Sequence, residues 1–230
     1  MKEQIVNSVF FGAAITLVAF YIGDLLKKKF KHPLANPLLI AQVAIICVLL
    51  LFKIDFNSYN NGAKYISFFL TPATVCLAIP LYEELQHLKD NWIAIMAGIV
   101  SGMLSSAATI LALSLIFSLN HQEYVTLLPK SITVAIGMGV SEELKGIVSI
   151  TIAVIIITGI IGNVVGEFVL DKFNIKHPIA KGVAYGSSSH ALGTAKAMEI
   201  GELEGAISSL SLAVSGVLTV GVASIFANFL

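Results

Sequence analysis

Long, nearly unbroken apolar runs fill most of this chain, in place of the one-sided patterns of surface helices or strands. A helix that spans a bilayer needs about 20 mostly apolar residues. Runs close to that length occur at residues 5–26, 34–52, 65–82, 92–119, 147–170 and 203–230. The first run is long for a signal peptide and lacks a clear A-x-A cleavage site, so we interpret it as a retained span.

Two further segments, residues 125–140 and 179–200, are short or interrupted by glycine, serine and charged residues. They either cross the membrane or enter and leave it on one side, and non-helical backbone at that depth is tolerated only where protein or a water-filled cavity covers it. The pattern predicts an all-α integral membrane protein with about seven or eight membrane segments. We expect a single domain over residues 1–230, with two broken or re-entrant segments.

The composition agrees with a multi-pass membrane protein, since 57% of the 230 residues are hydrophobic and only 12% are charged. Soluble domains average about 25% charged residues, so little of the chain remains for a soluble domain. A net charge of zero argues against nucleic acid as a partner. Cys47 and Cys76 lie in apolar runs, and we interpret both as small buried apolar residues, with no disulfide, metal or other cofactor indicated.

All fourteen basic residues are lysine. Arginine is the usual bidentate ligand of carboxylates, so an anion site in this chain would use lysine, hydroxyl groups or helix N-termini. The lysines also predict an orientation, because cytoplasmic loops are enriched in them. The cluster at residues 27–31 places that loop in the cytoplasm and the N-terminus outside the cell membrane, while Lys172, Lys176 and Lys181 reach the cytoplasm only if 125–140 is re-entrant.

Two internal similarities indicate repeats. Residues 74–85 and 133–144 share five identities in twelve, and the match extends weakly into 95–102 and 156–163. If 125–140 is re-entrant, the spans 92–119 and 147–170, which follow the two matching segments, run in opposite directions, as in the inverted repeats of secondary transporters. A second match, between 31–37 and 176–182, has a different offset that this repeat does not explain.

The segment LLPKSITVAIGMGVSEELKG, residues 127–146, concentrates polar groups at its two ends. Pro129 favours a helix start, and a helix that begins near Ser131 at membrane depth can hold an anion. The candidate binding residues here are Lys130, Ser131 and Thr133. Glu142 and Glu143, at the other end, are candidates for proton or ion coupling; the alternative is that these glutamates and Lys130 are solvated loop residues.

The segment GSSSHALGTAKAME, residues 186–199, is the second polar insertion. Unpaired polar groups at membrane depth are costly, so such clusters are functional by default, and we expect this one to approach Lys130 in space, with an anion held at a helix N-terminus near Ser188. Its candidate binding residues are Ser187, Ser188, Ser189, His190, Thr194 and Lys196, with Glu199 as a coupling candidate. The alternatives are serines bonded to their own helix, a His190 satisfied by packing, and a Lys196–Glu199 pair among headgroups.

A third segment, FFLTPATVCLAIP at residues 68–80, adds Thr71 and Thr74 as candidate binding residues, with a proline-kinked span as the alternative. Catalysis is not indicated. The chain contains no G-x-S-x-G, H-E-x-x-H or Walker sequence, and Ser189 and His190, as neighbours on a helix, point about 100° apart.

These three segments, extended to FFLTPATVCLAIPLY and HPIAKGVAYGSSSHALGTAKAMEIGELEGA, resemble the motifs of the LrgB/CidB family, in the family's order and from Asn36 onward. The resemblance implies holin-like or antiholin-like proteins that control murein hydrolases and lysis. Plastid relatives exchange glycolate and glycerate, and bacterial members are linked to pyruvate uptake. Members often work beside a small LrgA/CidA-type membrane protein, and some carry Gln at the position of Lys130.

Two functions follow as expectations. The first is a secondary transporter of small monocarboxylates such as pyruvate, lactate or glycolate, embedded in the lipid bilayer as a homo-oligomer. The second is a holin-like protein that modulates murein hydrolases, through an oligomeric pore. A carrier needs a closed site near the middle of the membrane, whereas a pore needs only an amphipathic lining.

Overall fold

The computed structural model describes residues 8, 10–30, 37–69, 72, 75–76 and 78–230. Helices make up 86% of the structure, and no strand occurs in these ranges, so the expected all-α class is confirmed. The chain divides into two compact units, Met1–Cys76 and Leu77–Leu230.

The first unit contains α1 (Phe11–Phe30), α2 (Pro37–Leu51) and α3 (Phe56–Phe68). Two glycines of α1 allow close backbone approach, Gly12 to Tyr59 and Gly23 to Pro37. Asp55 caps α3 by accepting from the backbone N–H of Asn57 at 2.9 Å. Because α2 has only fifteen residues, it is shorter than a full apolar span.

The second unit contains eight helices, of which three are long and apolar enough to cross a membrane. The helices are α4 (Ala78–Glu83), α5 (Leu85–Asp90), α6 (Trp92–Ile116), α7 (His121–Leu127), α8 (Val134–Glu143), α9 (Val148–Lys172), α10 (Pro178–Ile200) and α11 (Glu202–Phe226). The three span candidates are α6, α9 and α11, the last extended by a 3-10 turn at Ala227–Phe229. The larger number of segments expected from the sequence stays a prediction. The expected span at residues 65–82 is not one helix, since α3 ends at Phe68 and α4 begins at Ala78.

The order of contacts gives the directions of the three long helices. Ile95 of α6 packs in one cluster with Ile207 of α11, and Ile110 packs in another with Ala223, so α6 and α11 run in the same direction. Helix α9 runs the opposite way.

That direction follows from α10, which touches both α6 and α9. Helix α6 runs parallel to the first part of α10, because Gly98 lies against Val183 and Gly102, one turn later, lies against Ser187. Helix α9 is antiparallel to this part of α10, because Gly166 lies against Tyr185 whereas the earlier residue Gly159 lies against the later residue His190.

Helix α10 reverses direction at His190, whose φ of 43° and ψ of −134° are not helical. The first arm, residues 178–189, runs parallel to α11, with Gly182 against Ile207 and Gly186 against Ser211. The second arm, residues 191–200, returns, because Thr194 bonds Ser208 and Met198 lies against Gly205. We call these arms the second hairpin, and the expected break in 179–200 is confirmed.

The segment before α9 forms the first hairpin, made of α7, the turn at residues 128–133 and α8. Its two ends lie together, because Gln122 Nε2 donates to the backbone oxygen of Lys145 at 3.3 Å. Thr151 of α9 likewise donates to the backbone oxygen of Thr126 at 2.8 Å. The expected break in 125–140 is therefore confirmed, as two short helices joined by a turn, with the two ends of the hairpin close together.

The expected burial of the two cysteines is wrong, because Cys47 and Cys76 are both exposed. Cys47 lies on the outer face of an apolar helix, next to other exposed apolar residues such as Ile46 and Leu50. Such faces need no protein cover when lipid surrounds them, so an apolar run does not imply burial inside the protein.

Candidate functional site

The tips of both hairpins reach the middle of the long helices. A cavity of about 20 Å³ lies there. Its lining combines the turn of the first hairpin, the first arm of the second, α6 and α11: Met103, Ser106, Ala107, Leu128, Ser131, Ser187, Ser215, Thr219, Val222 and Ala223. We call it the central cavity. It brings Ser131 and Ser187 together, as the sequence predicted.

Lys130 supplies the positive charge beside this cavity. Its Nζ donates to Ser131 Oγ at 2.8 Å, and Ser131 Oγ lies 3.5 Å from Ser106 Oγ. The side chain is half-buried, and no carboxylate of the described residues lies within ion-pair distance of it. The site therefore contains a cation that lacks a counter-ion in the part of the chain described.

The cavity hydroxyls come from α6, α10, α11 and the turn of the first hairpin, and two of them bond within their own helix. Ser187 Oγ donates to the backbone oxygen of Val183 at 2.6 Å, and Ser215 Oγ donates to that of Ser211. This back-bonding satisfies the hydroxyl hydrogen inside an apolar surrounding. The oxygen keeps lone pairs that a bound water or ligand can use.

His190 and Thr194 support the break of the second hairpin. His190 is 4% exposed, and its Nε2 lies 2.9 Å from the backbone oxygen of Ile155 on α9. Thr194 Oγ1 lies 3.0 Å from the backbone oxygen of His190 and 2.9 Å from Ser208 Oγ. These contacts favour the packing alternative for His190.

Ser188 and Ser189 lie on a different side of the first arm. They line, with Tyr185 and Gly162, a second and mainly apolar cavity of about 250 Å³ against α9. A helix does begin near Ser188, because the second arm starts after His190, but Ser188 itself lies in the last turn of the first arm and faces α9. The helix starts near the tips belong to α8 and to the second arm, after His190.

Four of the other predicted residues lie away from the central cavity. Glu142 and Glu143 are exposed at the end of α8 opposite the tip. Lys196 lies 2.9 Å from Glu167 of α9 and 3.6 Å from Glu199, so this trio fastens the second arm to α9.

The remaining predicted residues are threonines. Thr133 is the half-buried residue directly before α8, with no side-chain cap hydrogen bond. Thr71 and Thr74 lie outside the described residues.

Sequence reasoning missed three hydroxyl residues of the cavity: Ser106, Ser215 and Thr219. Each lies inside a long apolar run, outside the three polar segments that the sequence singles out. A usable signal exists in α11, where Ser208, Ser211 and Ser215 repeat at helical spacing and so mark one face.

Three apolar helices of spanning length, with two helical hairpins whose tips meet between them, define an integral membrane protein. The chain belongs to the LrgB-like family, which matches residues 16–229. It is 40% identical over 205 residues to "Holin-like protein CidB" of Staphylococcus aureus (strain Mu50 / ATCC 700699), covering 89% of this chain and 90% of that protein. It is also 40% identical over 225 residues to "Antiholin-like protein LrgB" of Bacillus mycoides (strain KBAB4), covering 96% of each.

The expected family is thereby confirmed, and neither relative's name denotes an enzyme. No solved structure matches the chain.

Proposed function

We propose that this member of the LrgB-like family is a secondary transporter of small monocarboxylates, of the size of pyruvate, lactate or glycolate. The observation that carries the proposal is Lys130 at the tip of the first hairpin. It lacks a carboxylate partner among the described residues and lies beside a cavity lined by hydroxyl groups. A half-buried cation at membrane depth is costly without a counter-ion, and a bound carboxylate would supply one.

The charge and the size of the site support a small monoanion. A single lysine balances one negative charge, and a second carboxylate would be left unpaired in an apolar surrounding. The cavity of about 20 Å³ has room for about one water molecule. The structure therefore corresponds to a contracted site, which has to open before a substrate enters.

The order of elements supports an inverted repeat, as in carriers. Helix α6 is followed by the first hairpin, α9 is followed by the second hairpin, and α6 and α9 run in opposite directions. We propose that both hairpins are re-entrant in the cell membrane, that α1 and α2 add further membrane segments, and that the lysine-rich end of α9 faces the cytoplasm.

The test is uptake of labelled pyruvate, lactate and glycolate by proteoliposomes that contain the wild-type protein or Lys130→Met. We expect the wild type to accumulate at least one of the three, and Lys130→Met, which keeps the length of the side chain, to lose uptake. Lys172→Met is the matched control, because Lys172 is exposed at the end of α9. Uptake by Lys130→Met at the wild-type rate would contradict the proposal, as would an inactive wild type.

The names of the relatives favour a second candidate, a holin-like or antiholin-like protein that modulates murein hydrolases and lysis. In this function the chain forms an oligomeric pore, alone or with a small LrgA/CidA-type membrane protein. Release of an encapsulated dye from the same proteoliposomes separates the two, because a pore leaks dye and carboxylates alike, whereas a carrier retains the dye.

A further inference from the structure

A groove of about 510 Å³ runs along the interface between α6 and the first arm of the second hairpin. Its outer end lies where these two helices begin, at Asn91 and His177, and its inner end lies at Gly102 and Ser187. Between the ends the groove is lined by Ala94, Gly98, Ser101, Ile179, Ala180, Val183 and Ala184. We call it the access groove.

We infer that the access groove is the water-filled path by which a small carboxylate reaches the central cavity from one face of the membrane. This inference rests on the proposed function for the nature of the solute. The existence of the path can be tested without it.

The length of the groove matches half of a bilayer. From Asn91 to Gly102 the axis of α6 advances about 16 Å at 1.5 Å per residue, roughly half of a hydrocarbon core of about 30 Å. Ser187 lines both the inner end of the groove and the central cavity. The two spaces are thus adjacent, and the constriction between them involves Ser187.

The lining suits a small polar solute. Gly98, Gly102 and neighbouring alanines leave room between the helices, while Asn91, Ser101, His177 and Ser187 offer hydrogen-bonding groups along the way. Gly102 controls the inner end, because a Cβ atom there would lie 3.3 Å from Ser187 Oγ.

The opposite side of the central cavity is closed. An apolar cluster occupies it, with Tyr124, Val125 and Ile132 among its buried members. Tyr124 also donates a hydrogen bond to the backbone oxygen of Phe226 at 2.9 Å. Access from one side and closure on the other is the arrangement that an alternating-access carrier requires.

Water in the groove can be tested by thiol labelling. After replacement of both native residues, Cys47→Ala and Cys76→Ala, single cysteines are introduced as Ser101→Cys in the groove and Leu104→Cys, an exposed position at similar depth outside it. A negatively charged, membrane-impermeant methanethiosulfonate is applied to each face separately. Because only a hydrated thiol ionises and reacts readily, we expect Ser101→Cys to react about ten-fold or more faster than Leu104→Cys.

The face is fixed by a third variant, Lys176→Cys, in the exposed loop before α10. We expect Ser101→Cys to react from the same face as Lys176→Cys. Reaction no faster than that of Leu104→Cys, or reaction from the opposite face, overturns the inference.

A second variant tests whether the path carries the solute. Gly102→Val fills the inner end, and we expect it to reduce uptake at least about ten-fold because the added methyl groups meet Ser187. Gly221→Val is the matched control, since nothing lies within 4 Å of a Cβ atom at Gly221. Equal uptake by the two variants contradicts the inference.

The two proposals fail separately. If the wild type takes up no carboxylate, labelling of Ser101→Cys still decides whether the groove holds water. If Ser101→Cys stays unlabelled while Lys130→Met abolishes uptake, the transporter proposal stands and the access groove is overturned.

Discussion

The two hairpins reverse direction near the same cavity but do so by different means. The first uses a turn of several residues, 128–133, with Pro129 inside it. The second turns at the single residue His190, whose positive φ is rare for a residue with a side chain. A turn of several residues can present side chains to a ligand, whereas a one-residue reversal has to be held by its surroundings.

The hydrogen bonds at the two tips show the same difference. At the first tip, Lys130 and Ser131 bond each other and border the central cavity. At the second tip, His190 bonds the backbone of α9, and Asn163 of α9 donates to the backbone oxygen of Leu192 at 2.7 Å. The first tip thus has polar groups beside the central cavity, whereas the second tip is bonded to α9 and contributes Ser187 to the cavity.

The largest effect is expected from Ser131→Asp, which places a carboxylate beside Lys130 at the first tip. This carboxylate would pair with the lysine and repel an incoming anion, at a depth where screening is weak. We expect uptake to be abolished while the protein stays folded, as judged by its size-exclusion profile. Normal uptake by a well-folded Ser131→Asp protein would rule out an anion site at this tip.

A double variant separates pairing from misfolding. In Lys130→Met/Ser131→Asp the new carboxylate has no lysine to pair with, and a broken buried pair costs about 3–5 kcal/mol. We expect the double variant to unfold at a clearly lower temperature than Ser131→Asp. Equal melting temperatures would indicate that the two side chains do not meet.

The second tip should respond to substitution of its backbone-bonding histidine. His190→Ala removes the bond to Ile155, and the net loss is about 0.5–1.5 kcal/mol because that carbonyl keeps its hydrogen bond within α9; it also leaves a small void. His190→Gly loses the same bond but relieves a backbone conformation that costs about 1–3 kcal/mol for other residues. We therefore expect His190→Gly to be the more stable of the two in chemical unfolding, by about 1 kcal/mol.

The control for this order is Ala195, an exposed residue inside the second arm. In an ordinary helix interior, glycine is about 1 kcal/mol less stable than alanine, so Ala195→Gly should destabilise. If His190→Gly is also less stable than His190→Ala, the backbone at His190 is not strained in the way that its positive φ indicates.

The packing around the hairpins gives a third contrast. A Cβ atom at Gly162 of α9 would meet Ser189 of the second hairpin, whereas one at Gly139 of the first hairpin meets nothing within 4 Å. We expect Gly162→Ala to destabilise by about 1–3 kcal/mol through overpacking. Gly139→Ala should stabilise by about 0.5–1 kcal/mol, since alanine favours the helix. Similar unfolding curves for both variants would contradict the difference in packing between Gly162 and Gly139.

Much of the fold follows from the sequence because long apolar runs specify long helices. The predicted spans 92–119, 147–170 and 203–230 correspond to α6, α9 and α11 with small shifts at their ends. The two breaks were also predicted, from glycine, proline and clustered polar residues. The exact residue of the second break was not predicted. The sequence suggested a break at the nearby glycines, whereas the structure has it at His190, which contacts α9.

The site was predicted only in part for a related reason. Lys130, Ser131 and Ser187 stand out as polar residues in apolar surroundings, and they meet. Ser106 and Ser215 belong to the cavity because α6 and α11 pack against each other, and this pairing joins segments that are distant in the sequence. The sequence also does not show that Ser188 lies before the reversal, on the face of the first arm next to α9.

The smallest effect concerns neighbouring serines of the second hairpin, Ser187 in the central cavity and Ser188 outside it. Both hydroxyls donate to the carbonyl four residues earlier, at 2.6 Å in each case, so both substitutions by alanine remove a similar bond within the helix. Only Ser187→Ala also removes an oxygen that faces the central cavity. We expect Ser187→Ala to weaken uptake by about 0.5–1.5 kcal/mol, the usual net value of one hydrogen bond, which is roughly a two- to twelve-fold loss in kcat/KM.

Ser188→Ala should leave uptake near the wild-type value, and Ser131→Ala should resemble Ser187→Ala. A loss in Ser188→Ala equal to that in Ser187→Ala would move the binding site to the other face of the first arm, next to α9, and the two hairpin tips would then not share it.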